Sequence, residues 1–566
     1  MSNLQSIADP NNIKENQFNE TCDFSIWLRT CNQEIEKPIP GYVSFGEVPK
    51  WLSGSLIRNG PGGVDAYGAR ISKHVFDAPG LLHKYHINNG NVTYSSKFVN
   101  GNSFRQNRAA GRLVLSEFGT ARTPDPCQTI FSKIATVFQT PSEKTLTDNA
   151  NISIHPFGDE IYTLAETPFA HRINLENLET LNTINVYNEI GLLNHTSHPH
   201  VCGNTVYNVG QKLGLLTGLQ YVIAEMECNK SRSTDPIQNN GDFARSPWSV
   251  AKIVATISPQ TTLKTSYMHS FAITENYFIL IEQPLYIFLP DVPLKNIWGG
   301  EPIVSCLQFD AQKDTLFHVI SRNPEKSVST QRVFRAPGFF FFHTINAFEV
   351  LDQNTHDIHI TVDICCYDDP RVIECLYVDA LQNAHANPDY AKMLRGRPKR
   401  FSLKFSDCEN TPRGSSLVEE KVIVDIGCET PRINMEYNGK PYSYFYAICS
   451  DVDAQTPGML IQVNVSQNTY CTWMEPNAYP SEPIFVPSPN SQGEDDGVVL
   501  STLLYGGENL TGPNMVSLAI LDAHTWQLIT KVDILCETAI PKCLHGWFFP
   551  DSDVMKCHTS DFSENG

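Results

Sequence analysis

The chain has 566 residues, a formal net charge of −19 and no block rich in lysine or arginine. Phosphate backbones need clustered cations, so the charge excludes nucleic acid as a partner and argues against loose electrostatic adhesion to anionic lipid. With 41% hydrophobic residues and a mean hydropathy of −0.25, the composition predicts a soluble globular protein rather than a disordered one.

Read from the N-terminus, residues 1–20 are polar and predict a loose tail. HKYHINNGNVTYSSKFV (83–99) predicts a hairpin turning at Asn88-Asn89-Gly90. In 126–140, Ile130, Phe131, Ile134, Val137 and Phe138 recur at the spacing of one helix face. That face suits either a membrane surface or a protein core. A second hairpin is predicted at 171–187, an exposed loop at 227–246, and strands at 276–289 and 345–367. Residues 371–395 predict a helical hairpin, and 498–506 and 517–535 return to strands. The end, 551–566, is polar and again predicts a loose tail.

Strand-sized runs thus recur at roughly 8–12-residue intervals, the spacing of sandwiches, barrels and propellers. No exact repeat and no WD or kelch signature is present. The even strand density without a break in composition predicts one all-β propeller over 21–550. Sixteen cysteines are scattered without regular spacing; they read as reduced thiols of an intracellular protein, with Cys365-Cys366 as core packing. The N-terminus has no apolar segment resembling a secretory signal, so the N-x-S/T matches at Asn91, Asn151, Asn464 and Asn509 read as chance. No apolar run reaches the roughly 18 residues of a membrane-spanning helix.

Four histidines lie far apart: His198 in TSHPH, His269 in SYMHSF, His343 in FFHTINAFE and His545 in CLHGWF. Each sits in or beside an apolar run, where an imidazole without a partner is costly. Glu166 in IYTLAETPF, Glu429 in GCETPRIN and Glu482 in YPSEPIFV share that setting. A buried carboxylate needs pairing, and imidazole N–H groups can supply it. No spacing matches a helical metal motif or a zinc finger, so a common site would have to be assembled by the whole fold. His200, next but one to His198, and His195, His83, His86, His356 and His359 read as structural or exposed.

The chain resembles the carotenoid cleavage oxygenase family, which also contains the vertebrate retinoid isomerohydrolase. The resemblance runs in order through VPKWLSGSLIRNGPGG (48–63), HVFDAPGLLHKY (74–85), PDPCQTIFSK (124–133), TLTDNANISI (145–154), TSHPHV, SYMHSF, FFHTINAFE, ETPRIN, GKPYSYFY, EPNAYPSEPIFVP, EDDGVVL and CLHGWF. It implies a seven-bladed β-propeller with a helical cap over the iron-binding face. It implies ferrous iron held by His198, His269, His343 and His545, with Glu166, Glu429 and Glu482 orienting the last three in that order. Imidazole suits Fe(II), carboxylate partners set imidazole tautomers, and four nitrogens leave octahedral positions for O2 as co-substrate.

The resemblance also matches Phe118, Tyr267 and Tyr367 to positions lining the family's substrate tunnel, with ordinary aromatic packing as the alternative. Cys127 matches a candidate S-acylation position. One acyl chain plus the apolar face of Ile130, Phe131, Ile134 and Phe138 would give monotopic attachment to a membrane surface; 213–226 and 284–300 are candidates to extend that patch. The implied location is cytoplasmic, peripheral to intracellular membranes. The TSHPH and PDPC forms resemble the animal branch, nearest the insect members that couple cleavage to isomerisation. The implied activity is O2-dependent cleavage of a β-carotene- or zeaxanthin-type carotenoid at its central 15,15′ double bond to retinal, with all-trans to 11-cis isomerisation. Off-centre cleavage, retinyl ester isomerohydrolysis and non-catalytic carotenoid binding remain the alternatives.

Overall fold

A computed structural model describes residues 22–67, 71–124, 141–214, 217–228, 246–261, 263–323, 331–406, 416–454, 458–507 and 514–551. The expectations for 126–140, including Cys127, for most of 227–246 and for the two tails (Asp551 excepted) lie outside those residues.

The predicted hairpin at 83–99 is formed by strands Gly80–Asn88 and Asn91–Phe98, with Asn88 opposite Asn91. Its two-residue loop has Asn89 at φ 46° and Gly90 at φ 80°, the left-handed pair that such a turn requires and that Asn-Gly tolerates. Similar strands build seven sheets of four to six strands and one accessory three-stranded sheet among the described residues. The seven are the blades of a β-propeller. In chain order they begin near Ile35, Ser153, Asn194, Ala272, Phe340, Glu429 and Ala478.

Both chain ends close the ring. His545–Pro550 pairs with Gly54–Pro61, with His545 opposite Asn59, and so becomes an inner strand of the first blade. Tyr42–Gly46 pairs with Leu528–Leu535 and becomes the outer strand of the seventh. Strands of neighbouring blades meet along the axis: His545–Pro550 with Ser153–Phe157, Ala272–Ile273 with Phe340–Leu351, and Phe340–Leu351 with Glu429–Arg432. The apolar core lies between blades. Tyr85, Ile87 and Tyr94 of the first pack on Val498, Leu518 and Val532 of the seventh. Ile279, Phe317 and Val319 of the fourth pack on Val362, Phe401 and Leu403 of the fifth. Each such burial contributes about 1.5–3 kcal/mol.

Three expectations differ in detail. Residues 371–395 form a succession of short turns, Pro370–Val372, Glu374–Leu376, Val378–Gln382, Ala384–Ala386 and Tyr390–Met393, not two paired helices. Asn383 and the Asn387-Pro388 step interrupt the helix, since Asn competes for backbone hydrogen bonds and a residue before proline avoids the α region. Together with Phe24–Leu28 these turns form the cap, through Phe24, Ile26, Cys375, Leu381 and Tyr390. The run 276–289 is divided between two sheets, Tyr277–Glu282 in the fourth blade and Leu285–Phe288 in the accessory sheet. Between them the Gln283 amide donates to the Tyr267 and Phe341 carbonyls and accepts from Phe341 N–H, while Pro284 has no N–H for a ladder. The described residues of 213–226 belong to the strands Thr205–Gly214 and Gly218–Glu227, which bury Leu219, Tyr221, Val222, Ile223 and Met226 and leave Leu213 exposed.

Ring closure demands a glycine at position 60. A Cβ there would stand 2.5 Å from Cys543 Cα and 2.8 Å from Leu544 N, both backbone atoms of the closing segment. Gly60→Ala is therefore expected to destabilise the fold by about 1–3 kcal/mol, the usual cost of overpacking. A lowered thermal unfolding midpoint checks this; an unchanged one would mean that the closing segment shifts freely.

Candidate metal centre

The propeller distributes its polar axis residues by blade. His545 opens the inner strand His545–Pro550 of the first blade, and His198 lies between Asn194–His195 and His200–Cys202 of the third. His269 precedes Ala272–Ile273 of the fourth, and His343 lies in Phe340–Leu351 of the fifth. The ladder to the neighbouring strand is irregular between Phe341 and Thr344, around His343. The other three blades bring carboxylates: Glu166 from the turn after Glu160–Leu164, Glu429 at the start of Glu429–Arg432, and Glu482 between Ala478–Pro480 and Ile484–Pro487.

One nitrogen from each of the four histidines falls within 4.8 Å of the others. His198 Nε2 is 3.0 Å from His269 Nε2, which is 3.3 Å from His343 Nε2. The other ring nitrogens of His269, His343 and His545 are engaged by carboxylates. His343 Nδ1 donates to Glu429 Oε2 at 2.6 Å and His545 Nδ1 to Glu482 Oε1 at 2.8 Å. His269 Nδ1 donates to Glu166 Oε1 in a short contact, with Tyr267 OH 3.2 Å away. His198 has no carboxylate partner among the described residues.

These bonds determine where the lone pairs point. A neutral imidazole that donates through Nδ1 accepts through Nε2. His269 and His343 therefore face each other with acceptors, not with a donor and an acceptor. Burial first, then the neighbouring imidazoles, holds His198 well below the usual histidine range. Burial brings His545 down to about 4 against the pull of Glu482, and burial likewise outweighs Glu166 at His269. Convergent imidazole nitrogens at 3.0–3.3 Å match neighbouring ligands about one first-row divalent ion with metal–nitrogen bonds of about 2.1 Å. The donor set thus fits a metal ion, and its all-imidazole character suits iron among other first-row ions.

The carboxylates are themselves anchored. Burial alone would raise Glu429, but His343, Thr430 N–H at 2.8 Å and Tyr367 OH at 2.8 Å bring it below its ordinary value. Burial would raise Glu482 too; Arg432 and His545 hold it well below the usual carboxylate range. Arg432 donates to it through Nε at 2.8 Å and Nη2 at 3.3 Å, and to the Gly546 carbonyl at 2.7 Å. Arg58 is wholly buried and donates to the carbonyls of Glu482 and Leu544 and to Cys543 Sγ.

Sequence reasoning missed both arginines. The ETPRIN stretch contains the signal, but strict alternation puts Glu429 and Arg432 on opposite faces of a strand. Thr430 at φ 47° and a bulge between Glu429 and Arg432 break the alternation, so both side chains reach the axis.

A cavity partly open to solvent meets His269, His343 and His545. Its wall is mainly apolar: Phe76, Ile152, Phe342, Leu381 and Leu394 contribute, with Trp27 and Tyr390 from the cap. Of the three tunnel candidates, Tyr367 lines this cavity. Tyr267 and Phe118 stand behind it in the aromatic cluster with Phe340 and Phe342. A more polar cavity with His155, His200, Asn438 and Arg432 in its wall meets His198, His343 and His545 as well.

The other histidines singled out in the sequence have local partners or stand at the surface, whereas His155 is buried with neither ring nitrogen hydrogen-bonded among the described residues. His200 bonds the Phe271 carbonyl at 2.9 Å and Asn438 at 3.0 Å. His195 bonds the Thr196 carbonyl, His83 bonds Tyr94 OH and His86 bonds Ser55. His356 is exposed and His359 half-buried. Cys365 and Cys366 are buried, and burial pushes both thiols far up, which makes them inert. No helix among the described residues is long and apolar enough to cross a membrane.

The family described as RPE65: Retinal pigment epithelial membrane protein matches residues 28–550. A carotenoid isomerooxygenase of Galleria mellonella is 42% identical over 542 residues, 95% of this chain and 99% of the relative. A beta,beta-carotene 15,15'-dioxygenase of Gallus gallus is 33% identical over 546 residues, 92% of this chain and 97% of the relative. The crystal structure of cobalt-substituted Synechocystis ACO has the same fold, with a TM-score of 0.70 over 93% of this chain and 98% of the other at 23% identity. Matched across nearly the whole propeller and aligned with relatives along almost their full length, the chain belongs to the RPE65/carotenoid oxygenase family.

Proposed function

We propose that this protein is a non-haem iron(II) dioxygenase that cleaves a carotenoid at its central 15,15′ double bond to retinal, with coupled all-trans to 11-cis isomerisation. The observation that carries the proposal is the convergence of four imidazole nitrogens beside the wall of a mainly apolar cavity. Such a cavity accepts a polyene and orients it through few polar contacts. The names of the Galleria and Gallus relatives support isomerisation and central cleavage, respectively.

In this reading His198, His269, His343 and His545 hold the iron. Iron(II) there supplies the O2 chemistry that side chains lack. Glu166, Glu429 and Glu482 keep the Nδ1 protons of their imidazoles in place, so that the lone pairs stay directed inward. Phe342 and Tyr367 stand beside His269, His343 and Glu429 in the cavity wall. They position the polyene, and its register along the wall decides which double bond reacts. The balanced reaction consumes one O2 and one carbon–carbon double bond and yields two aldehydes.

We further assign 21–550 to one catalytic unit, peripheral to intracellular membranes on the cytoplasmic side. The helical periodicity of 126–140 and the place of Cys127 support that attachment.

Iron-loaded protein incubated under air with β-carotene or zeaxanthin is expected to release retinals, including an 11-cis product, separable by chromatography. Off-centre apocarotenals would relocate the cleavage, and retinol formed from retinyl esters without retinals would replace the reaction by ester isomerohydrolysis. A bound but unchanged carotenoid would make the protein a carrier.

A further inference from the structure

The polar side chains in the wall of the apolar cavity are few, and most are already engaged. Asp23 accepts from the N–H groups of Ser25 and Gly507, each at 2.9 Å. Asp451 accepts from Arg397 Nη1 and from Gly427 N–H, also at 2.9 Å each. Tyr479 OH accepts from Asp23 N–H at 2.6 Å, and Glu429 serves His343 and Tyr367. Two groups are left with capacity. Ser450 Oγ is out of solvent and has no hydrogen-bond partner among the described residues. Lys542 also lines the cavity, is 6% exposed and donates one hydrogen bond, to the Pro480 carbonyl at 2.8 Å.

Lys542 is the more consequential of the two. An ammonium carries three donors, and a buried charge with unspent donors is costly. The nearest compensation is the Trp27 ring, whose centroid lies 5.3 Å from Nζ. Among the described residues no carboxylate pairs with Lys542. Burial brings it down to about 8 against the pull of Cys543, with repulsion from Arg58 and Arg29 acting in the same direction as burial. Its place along the chain also matters. Leu544 N–H bonds the Asn59 carbonyl, continuing the ladder that pairs His545 with Asn59. Three residues of chain put Lys542 Cα at most about 11 Å from His545 Cα. Lys542 and the three imidazoles His269, His343 and His545 line one cavity, so a polyene that meets the imidazoles shares that cavity with the ammonium.

We infer that Lys542 is a specificity-determining residue, whose ammonium donates a hydrogen bond to an oxygen on the terminal ring of the substrate, so that carotenoids with hydroxyl- or keto-bearing rings are preferred over hydrocarbon carotenoids. The inference rests on the carotenoid reading of the cavity given above. A hydrocarbon ring leaves the spare N–H groups unmet in a dry wall. An oxygenated ring satisfies one of them, and a site built around a buried donor rejects the ligand that lacks the acceptor.

The test compares kcat/KM of the iron-loaded full chain for zeaxanthin, canthaxanthin and β-carotene, in wild type and in Lys542→Met. The ratio of oxygenated substrate to β-carotene is expected to fall about ten- to hundredfold in the variant, as for loss of one charge-assisted hydrogen bond. The loss should lie in KM rather than kcat, and Lys542→Arg should restore part of it. An unchanged ratio, or an equal loss for all three substrates, overturns the inference and leaves Lys542 as a packing residue. Should Lys542→Met fail to fold, binding to the wild type decides, read from quenching of tryptophan fluorescence. Tighter binding of zeaxanthin than of β-carotene supports the inference, and equal affinity overturns it. If no carotenoid is bound or cleaved, the proposed function itself falls; cleavage without preference removes only this inference.

Discussion

Replacing His343 with alanine is expected to remove bound iron and turnover together. His343 is one of four imidazoles whose nitrogens converge within 4.8 Å, and its Nε2 faces that of His269 at 3.3 Å. Its removal takes a ligand from the shell, so metal affinity should fall by more than the roughly 10–100-fold that follows loss of a partner behind a ligand. The variant also strands Glu429, which keeps only Tyr367 OH and Thr430 N–H; an under-satisfied buried group costs about 1–3 kcal/mol in stability. His200→Ala is the matched control. His200 lies two residues from His198 in TSHPH but bonds Phe271 and Asn438, so its loss should cost stability while iron content per folded protein is retained. Metal analysis and single-turnover assays on both variants check this. Normal iron content and activity in His343→Ala would remove His343 from the site.

Glu482→Leu is expected to be the most damaging change among the carboxylates. One side chain accepts from His545 Nδ1, Gly546 N–H, and Arg432 Nε and Nη2. Leucine leaves the largely buried Arg432 without its counter-charge, and breaking a buried pair from one side costs about 3–5 kcal/mol. It also frees the His545 ring to rotate, which should weaken iron binding about 10–100-fold. Glu482→Gln retains the acceptor for His545 but turns N–H groups towards Arg432 or Gly546, and should fall between leucine and wild type. Thermal unfolding separates the stability effect from iron titration of the folded fraction. A wild-type unfolding midpoint and iron affinity in Glu482→Leu would sink the account of Glu482 as the hub.

Local chemistry was legible in the sequence wherever it acts over a few residues. Asn89-Gly90 announces a tight hairpin because few other pairs accept two positive φ angles at low cost. The fourth and fifth blades were visible as apolar strand runs, but not the division of 276–289 between two sheets, which depends on Gln283 reaching Tyr267 and Phe341. The helical segment at 371–395 was legible as helical and not as a succession of short turns, because its interruptions lie at single residues. Arg432 escaped notice because one bulge reverses the face on which it lies. Lys542 escaped because nothing around it in IPKCLHGW marks the ammonium as buried.

The sequence by itself determined a strand-rich chain, the places where it turns, and a stock of imidazoles and carboxylates set in apolar runs. Those properties follow from dihedral preference and from hydrophobic period, which act between near neighbours. Only the tertiary structure decided which groups face one another. His545 pairs with Asn59 because the ring closes on its own first blade. His269 and His343 meet acceptor to acceptor because Glu166 and Glu429, from two other blades, take their Nδ1 protons. Pairings between residues hundreds apart in the chain depend on the packing of whole blades, and no local pattern encodes that packing.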